Sequence, residues 1–201
     1  VCGCHQERAY DSGRVGNNAM KLALIKIPSW PKLTWVAHWK HHEQTIHVLH
    51  GPMVETQDNW VVEACWRGDY DNGDFDRTDL VFGSGVRVRD GQVAFVPSGT
   101  VFDRLWSTQR ADVWYVSNSL PALLAVSKQT LRSDYPQYAN DVRSIVRGLE
   151  DAARSIPTEA MVGIQLQVGY GAVERVVVER NSSRVVTDPD NRRIHLRAGG
   201  I

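Results

Sequence analysis

Between residues 21 and 117 apolar and polar side chains mostly alternate, the spacing of half-buried strands. The run Lys21-Leu22-Ala23-Leu24-Ile25-Lys26-Ile27 opens the pattern and Pro28 ends it. Thr34–Trp39 and Thr45–His50 alternate on either side of the polar stretch 40–44, and Gly51-Pro52 breaks the second. Asn59–Trp66 predicts another strand. Val86–Arg89 and Gln92–Val96 flank Asp90-Gly91, which supplies the positive φ angles of a type I′ turn and so predicts a hairpin. Trp114–Ser117 closes the block.

Two stretches carry helical spacing instead. After Pro136, residues Tyr138, Val142, Ile145, Val146 and Leu149 fall on one face of a helix. Leu120–Ser127 predicts a shorter apolar helix, with Ser119 or Asn118 as N-cap and Pro121 in its first turn. Val162–Val168 and Val173–Val178 predict a closing pair of strands turning at 169–171, and Arg193–Leu196 an edge strand. Strands outnumber helices, so the expected class is α+β built on antiparallel sheets. Residues 5–19 are polar and aperiodic. The expected organisation is a flexible or overhanging leader at 1–19, a domain at 20–180 and a polar tail at 181–201, with Val1 and Met20 both open as the true start.

Composition narrows the chemistry. With 201 residues the chain suits one domain, and 23 Lys+Arg against 23 Asp+Glu leaves no basic excess for gripping phosphate backbones. Nucleic acid is therefore not an expected partner. No apolar run reaches about 18 residues, so no membrane span is expected. Three cysteines, Cys2, Cys4 and Cys65, point to reduced thiols and a cytoplasmic setting, with Cys65 buried mid-strand. The seven tryptophans predict core and inter-sheet packing.

Two polar clusters invite a metal and neither has the right spacing. His38, His41, His42, His47 and His50 crowd two strands and their turn, but alternation points His47 away from His50. Asp69, Asp71, Asp74, Asp76 and Asp79 surround Asn72-Gly73, yet the glycine comes one position early for a calcium loop and the terminal Glu is missing. No metal or cofactor is expected, and the acidic stretch reads as a turn.

From residue 83 onward the order of features becomes specific. A hairpin leads to Ser98-Gly99-Thr100-Val101-Phe102-Asp103-Arg104-Leu105-Trp106, then to a polar turn at Gln109–Asp112, then to the strand 113–118, which enters Ser119-Leu120-Pro121-Ala122-Leu123-Leu124 directly. This resembles the end of the N-terminal glutaminase domain of asparagine synthetases, where an Asp-Arg element precedes a strand-to-helix step. Asp74–Gly85, Asp103–Trp106, Asn118–Leu124 and Asp134-Tyr135-Pro136 are similar to a bacterial group of asparagine-synthetase-like proteins, over roughly residues 46–160. The resemblance implies the fold of N-terminal-nucleophile (Ntn) hydrolases: stacked antiparallel sheets flanked by helices.

What the resemblance implies about activity divides into two expectations. In class II amidotransferases a leading Cys-Gly supplies the nucleophile, its α-amino group acting as base. Cys2-Gly3 matches that step, and Asp103 and Arg104 would contribute to substrate binding. An active chain would then hydrolyse glutamine and pass ammonia to a separately encoded ATP-dependent synthetase, since no pyrophosphate loop occurs here. Against this, the Arg-Gly-Pro-Asp-like and Asn-Gly-Glu-like elements are lacking, and the polar stretch 5–19 separates Cys4 from the first strand. Loss of an oxyanion donor alone removes about 2.7–4 kcal/mol of catalysis. The favoured expectation is a degenerate, non-catalytic module with a structural or regulatory role. A small-molecule-binding β-rich domain unrelated to amide chemistry is the further alternative.

Overall fold

The computed structural model describes residues 20–78, 80–100, 103–147, 152–153 and 155–159, and the strand residues 164–167, 175–178, 185–187 and 193–196. The chain is α+β, mostly strand, in two seven-stranded sheets. The first contains β1 (Lys21–Lys26), β2 (Trp35–Lys40), β3 (Thr45–His50), β8 (Leu105–Arg110), β9 (Val113–Ser117), β10 (Ser155–Ile156) and β11 (Ile164–Gln167), in the order β1-β3-β2-β9-β8-β11-β10. The second contains β4 (Glu55–Gln57), β5 (Trp60–Trp66), β6 (Val81–Arg89), β7 (Gln92–Val96), β12 (Arg175–Val178), β13 (Val185–Thr187) and β14 (Arg193–Leu196), in the order β13-β14-β12-β7-β6-β5-β4. Pairing is antiparallel except for β1 with β3 and β12 with β14.

Strand alternation sets the core. Trp35, Ala37 and Trp39 of β2, Ile46 and Val48 of β3 and Val116 of β9 turn one way, and meet Val61, Val86, Val93 and Phe95 of the second sheet. The Phe95 ring stacks on Trp35 at 6.5 Å and on Trp39 at 5.3 Å, which locks the two sheets face to face. The expected role of the tryptophans holds for Trp35, Trp39, Trp60 and Trp106, all buried. Behind the first sheet, α1 (Leu120–Ser127) and α2 (Tyr138–Arg143) cover Trp106 and Tyr115 with Leu123, Leu124, Tyr138 and Val142. Behind the second, Phe75 on the 67–80 connection fills against Trp60, Val62, Val81 and Val96.

Several sequence expectations change. The helix expected to run from residue 136 to Leu149 stops at Arg143 and continues as a 3₁₀ turn, Ser144–Arg147. The buried Ser144 hydroxyl donates to the Asp141 carbonyl at 2.6 Å and accepts the Ala153 amide at 2.7 Å, which tightens the last turn. Val146, placed on the apolar stripe by its spacing, is 80% exposed. The two late strands do not pair with each other: β11 lies on β8 and β12 on β7, one in each sheet. Arg193–Leu196 is a strand, but β13 rather than β14 forms the edge, so part of the expected tail at 181–201 is hydrogen-bonded into the sheet.

Cys65 is exposed, not buried. Along the inward face of β5 the side chains go from buried Val61 through half-buried Glu63 to exposed Cys65, because the last rungs of β5 and β6 project past the shared core. Its partner position Phe82 is likewise 57% exposed. Among the described residues no helix is long and apolar enough to cross a membrane.

Candidate functional site

Where the core runs out at that end of the sheets, polar side chains take over. Glu63 of β5 sits opposite Ser84 of β6, both on the face that meets the first sheet. The Ser84 hydroxyl accepts the Trp35 indole N–H at 3.1 Å and donates to Glu63 Oε1 at 2.6 Å. Asn118, just after β9, donates from Nδ2 to the same Oε1 at 3.2 Å and to the Leu33 carbonyl at 2.9 Å. Its Oδ1 accepts the Trp35 amide at 3.0 Å. The neighbouring Ser117 hydroxyl donates to the Trp35 carbonyl at 2.6 Å and accepts the Ser119 amide at 2.9 Å. One carboxylate is thus tied to both sheets through two side chains, Ser84 and Asn118.

The expected cap at this step takes another form. Ser119 is the N-cap of α1, but its side chain makes no capping bond, and the polar work falls to Ser117 and Asn118.

Glu63, Ser84 and Asn118 line a cleft of about 320 Å³ together with Asp103, Arg104 and Trp106. That volume fits a small molecule. Asp103 and Arg104 lead directly into β8, and Asp103 Oδ2 accepts the Thr100 hydroxyl at 3.0 Å. The Ser98 hydroxyl in turn accepts the Gly83 amide at 3.3 Å and lies 3.1 Å from the Thr100 hydroxyl, which fixes residues 98–100 against β6. The structure therefore brings Asp103 and Arg104 together with Asn118. It also adds Glu63 and Ser84. Cys2 lies outside the described residues.

No family model, curated protein or solved structure matches this chain. The chemistry of the cleft is the guide to its use. Burial holds the Glu63 carboxyl above its ordinary value of 4.5; hydrogen bonds from Ser84 and Asn118 offset part of that rise, and the negative charge of Asp103 adds to it. A carboxyl raised in this way and open to a cleft is a proton donor or acceptor, and with Asp103 and Arg104 it offers both signs of charge to a ligand.

The rise has a consequence for stability. A folded-state pKa above the unfolded one means that the fold favours the protonated carboxyl. Its contribution is full below the unfolded value and is lost as pH rises through the folded one. Glu63→Gln keeps an oxygen acceptor for Ser84 and Asn118 and stays neutral. Urea midpoints of the two proteins, measured from about pH 4 to about pH 7.5, should therefore diverge in favour of the Gln variant as pH rises. A gap that stays constant, or narrows, would contradict a raised Glu63.

The remaining candidates are dispersed. His38 and His47 are cross-strand partners with stacked rings at 5.2 Å, next to Tyr115; His41 and His42 meet edge to face in the turn; His50 is buried with Nδ1 against its neighbour's carbonyl, Gly51 O, at 2.9 Å. Burial holds the His38 ring below its ordinary value, and the His47 charge adds to this. In the acidic stretch, the Asp69 carboxylate accepts the amides of Asp71 and Asn72, while Asp74 and Asp76 both bind Arg89 at 2.8 Å. Asp79 lies outside the described residues. Among the described residues no three His, Cys, Asp or Glu side chains are placed to hold a metal ion.

Proposed function

We propose that the chain is a glutaminase-type domain of the asparagine-synthetase-like, Ntn-hydrolase kind. In this reading it binds a small α-amino acid in the Glu63–Arg104 cleft and does not turn it over alone, serving as a structural or regulatory module. The observation that carries it is the convergence of Asp103-Arg104 and Asn118, the two elements of the resemblance, in one cleft at the end of a two-sheet sandwich. Arg104 supplies a partner for the ligand's carboxylate, and Asp103 with Glu63 supplies acceptors for its ammonium group.

Titration calorimetry with glutamine tests the binding half. Heat of binding is expected for the full chain, with affinity reduced at least about tenfold in Arg104→Met, the loss of one charge-assisted pair. No heat with glutamine, asparagine or glutamate removes the amino-acid reading. A coupled assay for released glutamate tests the other half, with no turnover expected. Sustained release that Cys2→Ala abolishes replaces the module with the active amidotransferase, feeding ammonia to a separate synthetase.

A further inference from the structure

A second open cleft, of about 730 Å³, lies on the opposite face of the second sheet, between the β4–β5 hairpin and residues 70–72. Its floor is Arg87, 7% exposed. The guanidinium donates through Nη1 to the Asn59 carbonyl at 3.4 Å and through Nη2 to the Asn72 carbonyl at 3.1 Å, while its buried Nε–H has no hydrogen-bond partner. The neighbouring Arg89 takes both Asp74 and Asp76, so among the described residues Arg87 has no carboxylate within ion-pair distance. Each Nη carries two N–H bonds, so beyond the one given to each carbonyl a second donor on each nitrogen remains to meet a ligand oxygen at the cleft floor.

The walls decide which ligand. Glu55, Asp58 and Asp71 bring carboxylates, and Gln57 and Asn72 bring carboxamides. At the rim Tyr70 bonds Glu55 through its hydroxyl. Trp66 stacks on one side of the Tyr70 ring at 4.4 Å and 12°, and Tyr70 remains 45% exposed. Three acids repel phosphates and other anions from the mouth, and among the described residues no three carboxylates are placed to hold a metal cation. A neutral polyol meets neither obstacle: its hydroxyls donate to the carboxylates and accept from Arg87 and the amides, and the C–H face of a sugar ring covers an aromatic side chain.

We propose that this cleft binds a neutral saccharide. The site is separate from the Glu63 cleft and does not depend on the glutaminase-type reading. Saturation-transfer-difference NMR on the full chain, with the methyl glycosides of glucose, galactose, mannose and N-acetylglucosamine as probes and alanine as a zwitterionic comparator, tests it. At least one glycoside should receive saturation, with apparent affinity falling at least about tenfold in Asp58→Ala and in Tyr70→Ala. Both positions are exposed, so an unchanged melting temperature separates lost binding from lost folding. Arg87→Gln is less suitable because its buried bonds to two carbonyls support the fold. The proposal fails if no glycoside is saturated, or if saturation persists unchanged in both variants. It fails equally if alanine binds in place of the glycosides and is released by Asp58→Ala.

Discussion

Trp35→Ala should lower the urea midpoint more than any conservative core substitution in the chain. The ring is fully buried, stacks on Phe95 of the other sheet, and donates its indole N–H to Ser84. Removing a buried tryptophan costs about 3–5 kcal/mol, and here the Ser84 hydroxyl also loses the donor that orients it toward Glu63. Against a total stability of about 5–15 kcal/mol, that removes a large share of the folding free energy. Urea titration followed by circular dichroism reads the effect. Trp35→Phe keeps most of the packing and loses only the N–H, so its cost should be smaller. An alanine variant that melts with the parent's midpoint would contradict the inter-sheet role given to this ring.

Gly83→Ala should be the second severe change, and for a different reason. Gly83 has φ 110°, and a Cβ there would lie 2.2 Å from the Glu63 carbonyl oxygen and 2.7 Å from the Ala64 Cα. These are backbone atoms of the paired strand, so β5 and β6 would have to part at the Ala64–Gly83 rung, next to the one that carries Glu63 and Ser84. The expected loss is about 3 kcal/mol or more, together with loss of ligand binding in the first cleft. Gly91→Ala is the control: it too has positive φ, 75°, but nothing lies within 4 Å of the added carbon. Only left-handed strain of about 1–2 kcal/mol remains there. Thermal melts of the two variants side by side decide the matter, and equal shifts would refute the crowding argument.

Much of this architecture is legible in the amino-acid sequence. The strands β2, β3 and β5, the Asp90-Gly91 hairpin between β6 and β7, and α1 follow from alternation and turn chemistry. Elements whose stabilising contacts are polar were less visible. β8 reaches Arg110, through positions where the sequence suggested a turn, because Ser107 and Thr108 are buried and Gln129 donates to Thr108 Oγ1 at 2.9 Å. β4 is three residues, Glu-Thr-Gln, with no apolar signal at all. The helix after Pro136 departs from its pattern for the converse reason: its spacing is correct, but the Ser144 hydroxyl competes for the backbone and Val146 is left exposed.

The first cleft was half visible. Asp103, Arg104 and Asn118 carry the resemblance, whereas Glu63 stands in a strand whose other residues are mostly apolar. Its signal was there in the alternation: a carboxylate two residues after Val61 occupies an inward position, where a charge stays only with partners. Those partners, Ser84 and Asn118, come from 21 and 55 residues away, a juxtaposition that spacing along one strand does not reveal.

The two sheets also differ in how they can assemble. β4 to β7 form a meander of consecutive neighbours, each closed by a local connection, with a two-residue turn at Asp90-Gly91. The first sheet is stitched from distant stretches, since Ser117 binds Trp35 across 82 residues. Closing that span instead of a two-residue turn costs about 3 kcal/mol more chain entropy by logarithmic scaling. Assembly therefore favours the meander as a template. The latch of Ser117, Asn118 and Glu63 comes late, and with it the finished mouth of the first cleft.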